Sequence, residues 1–510
     1  MAINKTILDL LDVGAADAPA LLAPDHHVVT YDALRSNVRE LAATLHSYGI
    51  GPGERVALAM ANGPEMAIAF LAAASAATAA PLNPKYTGEE FAFYYGDTRA
   101  RALIVLPNTM PEAVAALTPE MLLIHALPQS DGTLRFAGGR SQESGVRSQA
   151  ASADLQSPDD VALILHTSGT TSRPKRVPIR HRNLATSAYN IGETYALSAA
   201  DRSLCVMPLF HIHGIVASLL SALAAGGSVI CPPGFDALKF WAWVDEFKPT
   251  WYSAVPTMHQ MLLARAARNA DLIARNRLRF IRSSSAPLPP IVLERVEAAF
   301  GAPVIESYGM TEAAHQMASN PLPPLVHKAG SVGYGIGVDV AVMDETGQLL
   351  PQGERGEVVV RGGNVVDGYE NNTEANASSF IAGWFRTGDQ GYLDADGYLV
   401  LTGRLKELIN RGGEKISPLE IDDMLLRHPA VAEALAFAVP HKSLGEDVAA
   451  AVVLKEGAAC EEQELRHWCA TQLAEFKVPR RVYVLDTLPR GATGKLQRIT
   501  MAKTLGIADT

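Results

Sequence analysis

Short apolar runs alternate with alanine-rich stretches through the first part of the chain, and this alternation constrains the fold more than any other feature. The runs at residues 55–60 and 102–106 indicate buried strands. Similar runs follow at residues 161–165, 203–207, 228–231, 250–255 and 278–282. Strands that alternate with helices form mostly parallel sheets covered by helices. We therefore predict an α/β fold, with residues 129–157, which are rich in Gly, Ser and Gln, as a surface excursion.

At 510 residues the chain is longer than one hydrophobic core normally organises, so we expect at least two domains. From Ser331 onward, short strands with glycine-bearing turns predict a small antiparallel or β-barrel-like subdomain. After Gly403 the pattern predicts a compact α+β segment. Its elements are a helix at 418–428, strands at 431–439 and 448–454, a helix at 461–474 and a strand at 481–485. We place the domain boundary at Lys406, between an N-terminal domain of residues 1–405 and a C-terminal domain of residues 406–510.

The composition excludes some partners. A formal net charge of -10 gives no overall basic field for nucleic acid. The four cysteines lack metal-ligand spacing and a disulfide framework, which fits a reducing compartment. Neither end carries a targeting pattern, so we expect a cytoplasmic protein. The apolar stretches at 66–82 and 214–231 are diluted by small and hydroxylated residues, so we expect buried helices there. The sequence does not indicate the oligomeric state.

The stretch from Thr167 to Lys175 has the composition of a loop that wraps oxyanions. Its glycine lets backbone N–H groups approach phosphate, its hydroxyls add donors and its lysine adds a point charge. The residues concerned are Thr167, Ser168, Gly169, Thr170, Thr171 and Lys175. Pro174 excludes the Walker pattern, which needs glycine before the lysine. Taken alone, such a cluster is equally compatible with a solvated turn.

Further motifs follow this loop. They are Tyr308-Gly-Met-Thr-Glu312, Trp384-Phe-Arg-Thr-Gly-Asp389, Gly403-Arg404 and Gly494-Lys495. In order and spacing the series resembles that of the adenylate-forming superfamily, and over nearly its whole length the chain resembles an acyl-CoA synthetase. Several motifs in register are far more specific than any one of them. The resemblance implies an ATP-dependent acid–CoA ligase with a large AMP-binding domain, a small mobile C-terminal domain, and ATP, Mg²⁺ and coenzyme A as cofactor and co-substrates.

The resemblance also implies roles for residues that contact the nucleotide. The loop from Thr167 to Lys175 would grip the pyrophosphate part of ATP, and adenine would stack on Tyr308. Asp389 would accept hydrogen bonds from the ribose hydroxyls, and Arg404 would brace the same ribose. Outside such a series, a tyrosine is more often a core aromatic and an aspartate after Thr-Gly a turn residue.

Three residues are implied to be catalytic: Lys495, Glu312 and Thr311. Glu312 would help to hold the magnesium of Mg-ATP, since Mg²⁺ prefers one or two carboxylates plus phosphate oxygens. Lys495 would bridge the substrate carboxylate and the α-phosphate as they join. A cation is needed there because attack by one anion on another must overcome repulsion.

The second half-reaction would need a different arrangement. By the same resemblance, Lys406 is the hinge, and the loop from Arg411 to Lys415 faces the site in place of Lys495 and guides the thiol of coenzyme A. The coenzyme-binding residues of this loop are Gly412, Gly413 and Lys415, and His211 is assigned to a gate near the coenzyme channel. AMP then becomes the leaving group, and one pocket serves two reactions through domain rotation.

The acid pocket is implied to contain His213, Ser285 and His315. A pocket for a fatty tail or a phenyl ring should be mostly apolar. Imidazoles and a hydroxyl instead suit a second carboxylate, with added attraction if an imidazole is protonated. The segments that contain these residues resemble most the oxalate–CoA ligase group, so we expect oxalate or another very short dicarboxylate. The competing interpretation of each histidine is a core residue satisfied by the backbone.

Two other functions stay open. The chain could be a ligase of aryl-propenoic or medium-chain acids, because those enzymes share the motif series. It could also be a nucleotide-binding module without turnover.

Arg176 stands where the family usually has glycine. Its side chain either points to solvent or stiffens or crowds the phosphate loop, so impaired or specialised nucleotide binding is also open.

Overall fold

The computed structural model describes residues 3–138, 156–167, 174–491 and 496–507. Its N-terminal part contains two sheets, flanked by helices. The strands are β1 (Pro19–Leu22), β2 (Val29–Thr30), β3 (Arg55–Leu58), β4 (Thr78–Pro81), β5 (Ala102–Val105), β6 (Leu122–Pro128), β7 (Leu134–Gly138), β8 (Val161–Thr167), β9 (Lys175–Arg180), β10 (Arg202–Leu204), β11 (Ser228–Ile230), β12 (Trp251–Ala254), β13 (Phe280–Ser283), β14 (Val304–Met310) and β15 (His315–Ser319).

The helices of this part lie between the strands in the alternation that the sequence indicates. They are α1 (Ile7–Leu11), α2 (Tyr31–Ser47), α3 (Pro64–Ala76), α4 (Gly88–Thr98), α5 (Pro111–Ala115), α6 (His181–Thr194), α7 (Ser221–Ala224), α8 (Phe240–Phe247), α9 (Pro256–Leu263), α10 (Ala270–Arg275) and α11 (Pro290–Phe300). A π-helix covers His213–Leu220, and 3-10 turns cover Ala266–Asn269 and Thr311–Ala313.

The first sheet has the strand order β7-β6-β5-β3-β4-β8-β9. Its strands from β6 to β8 are parallel, and the edge strands β7 and β9 are antiparallel to their neighbours. The second sheet has the order β15-β14-β13-β12-β10-β11-β1-β2, also parallel except at its edges. In both sheets the crossover helices bury their apolar faces on the strands.

Helix α3 shows why the apolar stretch at 66–82 folds inward. Its residues are buried on every side, and it packs against α2 and the strands of the first sheet. Pro64 begins the helix, where its missing N–H needs no partner. The second apolar stretch becomes the π-helix, α7 and, after Gly226 and Gly227, strand β11. Among the described residues, no helix combines the length and apolarity needed to cross a bilayer.

The antiparallel subdomain lies between residues 338 and 404. Its strands are β16 (Val338–Met343), β17 (Gly356–Gly362), β18 (Phe380–Ile381), β19 (Trp384–Leu393) and β20 (Leu399–Arg404), and its helix is α12 (Thr373–Ser379). The strand order is β16-β17-β19-β18, and β20 pairs with β19. The strands pair antiparallel, as the short strands and glycine turns indicate.

The C-terminal residues form a sheet and an apolar core of their own. The strands are β21 (Ile409–Arg411), β22 (Glu414–Ile416), β23 (Val431–His441), β24 (Gly445–Leu454) and β25 (Arg481–Val484), and the helices are α13 (Pro418–Leu426), α14 (Glu462–Ala470) and α15 (Met501–Thr504), with a 3-10 turn at Glu475–Lys477. Lys406 lies in the exposed turn between β20 and β21, which belong to different sheets.

The α/β prediction is confirmed, with a large N-terminal part and a small C-terminal part. One local expectation was wrong. Residues 129–157 are not simply a surface excursion, because β7 forms a hairpin with β6 within this stretch. Leu134 and Phe136 alternate toward the core, and Asn37 holds Leu134 through hydrogen bonds of 2.7 and 2.9 Å to its backbone. Residues 139–155 lie outside the described residues.

Candidate active site

The site is built around the hairpin of β14 and β15, at the edge of the second sheet. Tyr308 lies near the end of β14, Glu312 in the 3-10 turn and His315 at the first position of β15. A Cβ at Gly309 would lie 2.0 Å from the carbonyl oxygen of His315, so only glycine permits this close pairing. One short segment therefore places the aromatic, acidic and imidazole side chains together. Thr311 is buried in the same turn.

Asp389 connects Tyr308 with Arg404. The tyrosine hydroxyl donates a hydrogen bond to Asp389 Oδ2, and Arg404 Nε lies 3.1 Å from Asp389 Oδ1. Asp389 and Arg404 are directly paired residues of β19 and β20, which accounts for the contact. Burial, together with the charge of Asp389, raises the pKa of Tyr308 well above its ordinary value. The tyrosine is therefore a neutral donor that holds the carboxylate in place.

Glu312 lies against the base of the phosphate loop. Its Oε1 accepts hydrogen bonds from the hydroxyls of Tyr369, at 2.9 Å, and Thr167, at 3.4 Å. The ammonium of Lys175 lies 4.4 Å from the centroid of the Tyr369 ring. Glu312 is 6% exposed, and none of the described residues brings a lysine or arginine within ion-pair distance of it. The turn thus contains a buried carboxylate with no ion-pair partner among the described residues, although the charge of Arg404 acts on it from a longer distance.

Strands β8 and β9 hold the two ends of the phosphate loop together. Thr167 pairs directly with Lys175, and His166 pairs with Arg176. Arg176 does not point to solvent. It forms ion pairs with Asp97 at 2.9 Å and with Glu370 at 2.7 Å. The loop residues Ser168, Gly169, Thr170 and Thr171 lie outside the described residues.

The proposed acid-binding side chains form one connected group. His213 Nδ1 lies 2.9 Å from Ser285 Oγ, and its Nε2 lies 2.6 Å from Ser253 Oγ. The rings of His213 and His315 stack with their centroids 4.8 Å apart. Arg282 Nη1 lies 3.1 Å from His315 Nε2.

Backbone strain marks the same place. Ser285, Ala314 and His315 have φ values of 73°, 44° and 98°, in the left-handed region that residues with a Cβ seldom adopt. His213 begins a π-helix, a form that is frequent at functional sites. Strained conformations persist where the surrounding structure holds side chains in position for function. The strain favours the hypothesis of a functional site over the interpretation of these histidines as core residues.

The remaining predicted site residues lie outside the connected group of His213, Ser285 and His315. Gly412 and Gly413 form the turn between β21 and β22, with φ values of 62° and 98°. Lys415 is exposed and lies 3.6 Å from Glu345, on the turn between β16 and β17. His211 is half-buried, and its Nδ1 accepts a hydrogen bond of 3.3 Å from the backbone N–H of His213. Lys495 lies outside the described residues.

Sequence reasoning missed Tyr369, Ser253 and Tyr195. Tyr369 contacts both Lys175 and Glu312, and Ser253 joins Arg282 to His213. The only local signal for Tyr369 is its position between a glycine and a glutamate in a polar turn. Ser253 and Tyr195 carry no motif. Ser253 meets Arg282 through strand register, and Tyr195 meets it from the end of α6.

The comparisons with known proteins agree with this geometry. The sequence matches the AMP-binding enzyme family over residues 13–370 and the AMP-binding enzyme C-terminal domain over residues 420–495. It is 46% identical to the probable CoA ligase CCL9 of Humulus lupulus, over 99% of this chain and 97% of that protein. It is also 46% identical to the oxalate–CoA ligase of Arabidopsis thaliana, over 98% of each.

A solved structure extends the likeness to the fold. The crystal structure of ATP-bound MatB from Rhodopseudomonas palustris is 30% identical, with a TM-score of 0.86 over 99% of this chain and 98% of that chain. Both of these relatives are named as CoA ligases, the first as a probable one, and the structure of similar fold contains bound ATP. The chain therefore belongs to the AMP-binding enzyme family and is an AMP-forming acid–CoA ligase.

Proposed function

We propose that the acid is oxalate or another very short dicarboxylate. The observation that carries the proposal is the hydrogen-bonded group of His213, Ser285 and His315, because a pocket for an apolar acid would not be lined by imidazoles and a hydroxyl. A relative 46% identical is an oxalate–CoA ligase. The sulfoacetate–CoA ligase of Cupriavidus necator, 36% identical over 97% of each chain, is named for another short acid that carries a second anionic group.

The first half-reaction joins the acid to AMP. A carboxylate oxygen of the acid attacks the α-phosphorus of ATP, and pyrophosphate leaves. Tyr308 would support adenine, Asp389 and Arg404 would hold the ribose, and the loop from Thr167 to Lys175 would hold the leaving pyrophosphate. Lys495 would stabilise the charge that builds at the phosphorus, and Thr311 would lie beside the reacting groups.

Glu312 fits the residue that would hold Mg²⁺. It is a buried carboxylate with hydroxyl donors on one oxygen and no described cation at ion-pair distance, so a divalent ion would balance its charge. When bound, the ion would neutralise charge on the phosphate oxygens. Tyr369 orients the carboxylate, since its buried hydroxyl has a raised pKa and stays protonated.

The second half-reaction transfers the acyl group to sulfur. The thiolate of coenzyme A attacks the acyl carbonyl, and AMP leaves with the phosphate oxygen of the broken bond. We propose that the C-terminal domain, residues 406–510, rotates about Lys406 so that Gly412, Gly413 and Lys415 replace Lys495, with His211 at the coenzyme channel.

The cysteines Cys205, Cys231, Cys460 and Cys469 are all free, which supports a reducing compartment and hence the cytoplasm.

The test is ATP–pyrophosphate exchange with oxalate, malonate, acetate, octanoate and 4-coumarate. We expect the fastest exchange with oxalate, because only a short dicarboxylate places a second anion against the three polar side chains. Strong exchange with octanoate or 4-coumarate and none with oxalate would overturn the proposal. Replacing His315 or His213 by alanine should weaken the selection for oxalate more than the binding of ATP.

A further inference from the structure

Arg282 is a charged side chain inside the protein, next to the proposed acid pocket. It lies on β13, its exposed fraction is 0%, and its neighbour in register on β12 is Ser253. Side chains in register on adjacent parallel strands share one face of the sheet. Here that face packs against the π-helix that begins with His213.

The contacts of Arg282 that the structure shows are all to neutral groups. Its guanidinium donates to Tyr195 Oη at 3.0 Å, Ser253 Oγ at 3.1 Å and Gln316 Oε1 at 3.2 Å, and it lies 3.1 Å from His315 Nε2. Within the part of the chain that the structure describes, no carboxylate lies at ion-pair distance from it. A buried arginine normally has an anionic partner, because an uncompensated buried charge costs several kcal/mol.

The contact with His315 determines where the proton of that ring lies. A guanidinium has only donor groups, so His315 Nε2 must accept the hydrogen bond of 3.1 Å and carries no proton. The ring is then neutral, with its proton on Nδ1. The sequence analysis allowed for added attraction from a protonated imidazole, and in the structure the positive charge is instead carried by Arg282.

A chain of hydrogen bonds also runs from Arg282 through Ser253 and His213 to Ser285. Ser253 Oγ accepts an N–H from Arg282, and the residue is fully buried, so its own hydroxyl proton needs an acceptor. Among the described residues that acceptor is His213 Nε2, at 2.6 Å. His213 therefore carries its proton on Nδ1 and donates it to Ser285 Oγ at 2.9 Å. The hydroxyl proton of Ser285 is not used in this chain of bonds.

We infer that Arg282 is a positioning residue, which fixes both histidines in the Nδ1–H tautomer and so turns the acid pocket into a donor-rich receptor for a second carboxylate. The inference rests on the proposed function of His213, Ser285 and His315 and deepens it. A carboxylate in the pocket would also supply the negative charge that Arg282 lacks. An acid with an apolar tail would leave the charge of Arg282 without a carboxylate to balance it, which is how such a site rejects that acid.

The tautomers are measured on the wild-type enzyme, so this test does not depend on the folding of a variant. Two-bond ¹H–¹⁵N correlation spectra of enzyme labelled with ¹⁵N-histidine distinguish Nδ1–H, Nε2–H and doubly protonated rings. His213→Gln and His315→Gln identify the two signals. We expect both rings to be neutral with the proton on Nδ1 at pH 7. An Nε2–H tautomer or an imidazolium at either residue would overturn the inference.

A variant then tests the effect on the substrate. In Arg282→Gln, kcat/KM for the acid should fall by about 100-fold, as when one preorganised donor is removed, while KM for ATP stays within about threefold. Arg282→Lys keeps the charge and should recover part of the loss. The matched control is Arg279→Gln, three residues earlier, where the arginine pairs with Asp201 at 3.0 Å and with the Tyr195 carbonyl at 2.8 Å. The control should change neither the tautomers nor the kinetics of the acid.

The two proposals can fail separately. If the wild-type enzyme activates a different acid, the oxalate proposal fails, and the Arg282 variants are measured with that acid. If oxalate is the substrate but Arg282→Gln behaves like Arg279→Gln, the oxalate proposal stands and the inference about Arg282 is wrong. Equal losses for acid and ATP in Arg282→Gln would likewise reduce Arg282 to a purely structural role.

Discussion

Arg176, which follows the last residue of the phosphate loop, forms an ion pair with Asp97, with Nη1 and Oδ1 2.9 Å apart. The same aspartate accepts a hydrogen bond of 2.9 Å from His166, the residue paired with Arg176 across β8 and β9. Burial raises the pKa of Asp97, but the hydrogen bonds from His166 and Arg176 outweigh burial and the net shift is downward. Arg176 also reaches Glu370, which forms an ion pair with Arg55. The arginine at the family's usual glycine position therefore ties the end of the loop to α4 and to the segment after β17.

Replacing Arg176 by alanine should loosen this anchor. Asp97 and Glu370 would each lose a half-buried cation, which costs about 1–3 kcal/mol for groups left partly unpaired. We also expect KM for ATP to rise more than KM for the acid, because the loop is proposed to contact the nucleotide. Thermal unfolding and steady-state kinetics measure the two effects.

The control for this change is Arg180→Ala on the same strand. Arg180 pairs with Asp367 at 2.9 Å, with exposed fractions of 36% and 58%, so its loss should cost less than about 1 kcal/mol. If Arg176→Ala and Arg180→Ala destabilise the protein equally and leave KM for ATP unchanged, the ion pairs of Arg176 do not contribute to ATP binding.

Glu312→Gln should lower the rate of ATP–pyrophosphate exchange by about 100- to 1,000-fold, the loss typical of removing one electrostatic contact in the transition state. Glutamine retains an oxygen that can accept from Tyr369 and Thr167, so the shape of the site is kept while the charge is lost. The concentration of Mg²⁺ that gives half-maximal exchange should rise. Tyr369→Phe keeps the charge and should have the smaller effect. An unchanged Mg²⁺ dependence in Glu312→Gln would remove Glu312 from the metal site.

The strands and helices that leave a local pattern in the sequence could be predicted, and those that depend on contacts between distant residues could not. Apolar runs and glycine stops indicated the strands, as where Gly226 and Gly227 separate the helical segment from β11. Strand β7 was missed because only Leu134 and Phe136 of its residues face the core, too few to stand out in a polar stretch. Its pairing with β6 depends on the turn at Asp131 and Gly132 rather than on composition.

The candidate site likewise contains residues that motifs indicate and contacts that only the fold creates. Tyr308, Glu312, Asp389 and His315 lie in motifs, and the motifs could be recognised without coordinates. The direction of the Arg176 side chain could not, because Asp97 and Glu370 come from 79 and 194 positions away in the printed sequence. The proton positions on His213 and His315 depend in the same way on Arg282 and Ser253, which meet only through strand register.

Lys495→Ala should abolish adenylation and largely spare thiolysis of a supplied acyl-adenylate, because the lysine is proposed to act only while the acid and the α-phosphate join. Lys415→Ala should show the reverse pattern, with exchange preserved and thiolysis slowed, since Lys415 lies beside Glu345 and is proposed to face the site only after rotation. ATP–pyrophosphate exchange and single-turnover thiolysis separate the two steps. Equal loss of both half-reactions in Lys495→Ala would refute its assignment to the first.

Glu306 on β14 and Asp423 on α13 are close enough for the charge of Asp423 to act on Glu306. Glu306 of β14 is 4% exposed, its Oε1 accepts a hydrogen bond of 3.0 Å from the backbone N–H of Leu288, and its Oε2 has no hydrogen-bond partner among the described residues. Burial, with a smaller contribution from the charge of nearby Asp423, raises the pKa of Glu306 to about 8, although the hydrogen bond from Leu288 opposes the shift. Burial and the charge of Asp422 raise the pKa of Asp423 to about 7.

These raised pKa values predict that stability falls at alkaline pH. A carboxyl group whose pKa is higher in the folded state contributes stability below its unfolded pKa and loses it as the pH rises through the folded pKa. Between pH 6 and pH 9, Glu306 alone should lower the free energy of unfolding by about 3 kcal/mol. Glu306→Gln cannot ionise, so its melting temperature should fall less over this range than that of the wild type. Glu294→Gln, an exposed position on α11, is the control and should follow the wild type. If Glu306→Gln loses as much stability as the wild type between the two pH values, Glu306 is already ionised at pH 6, and its proton does not contribute to stability.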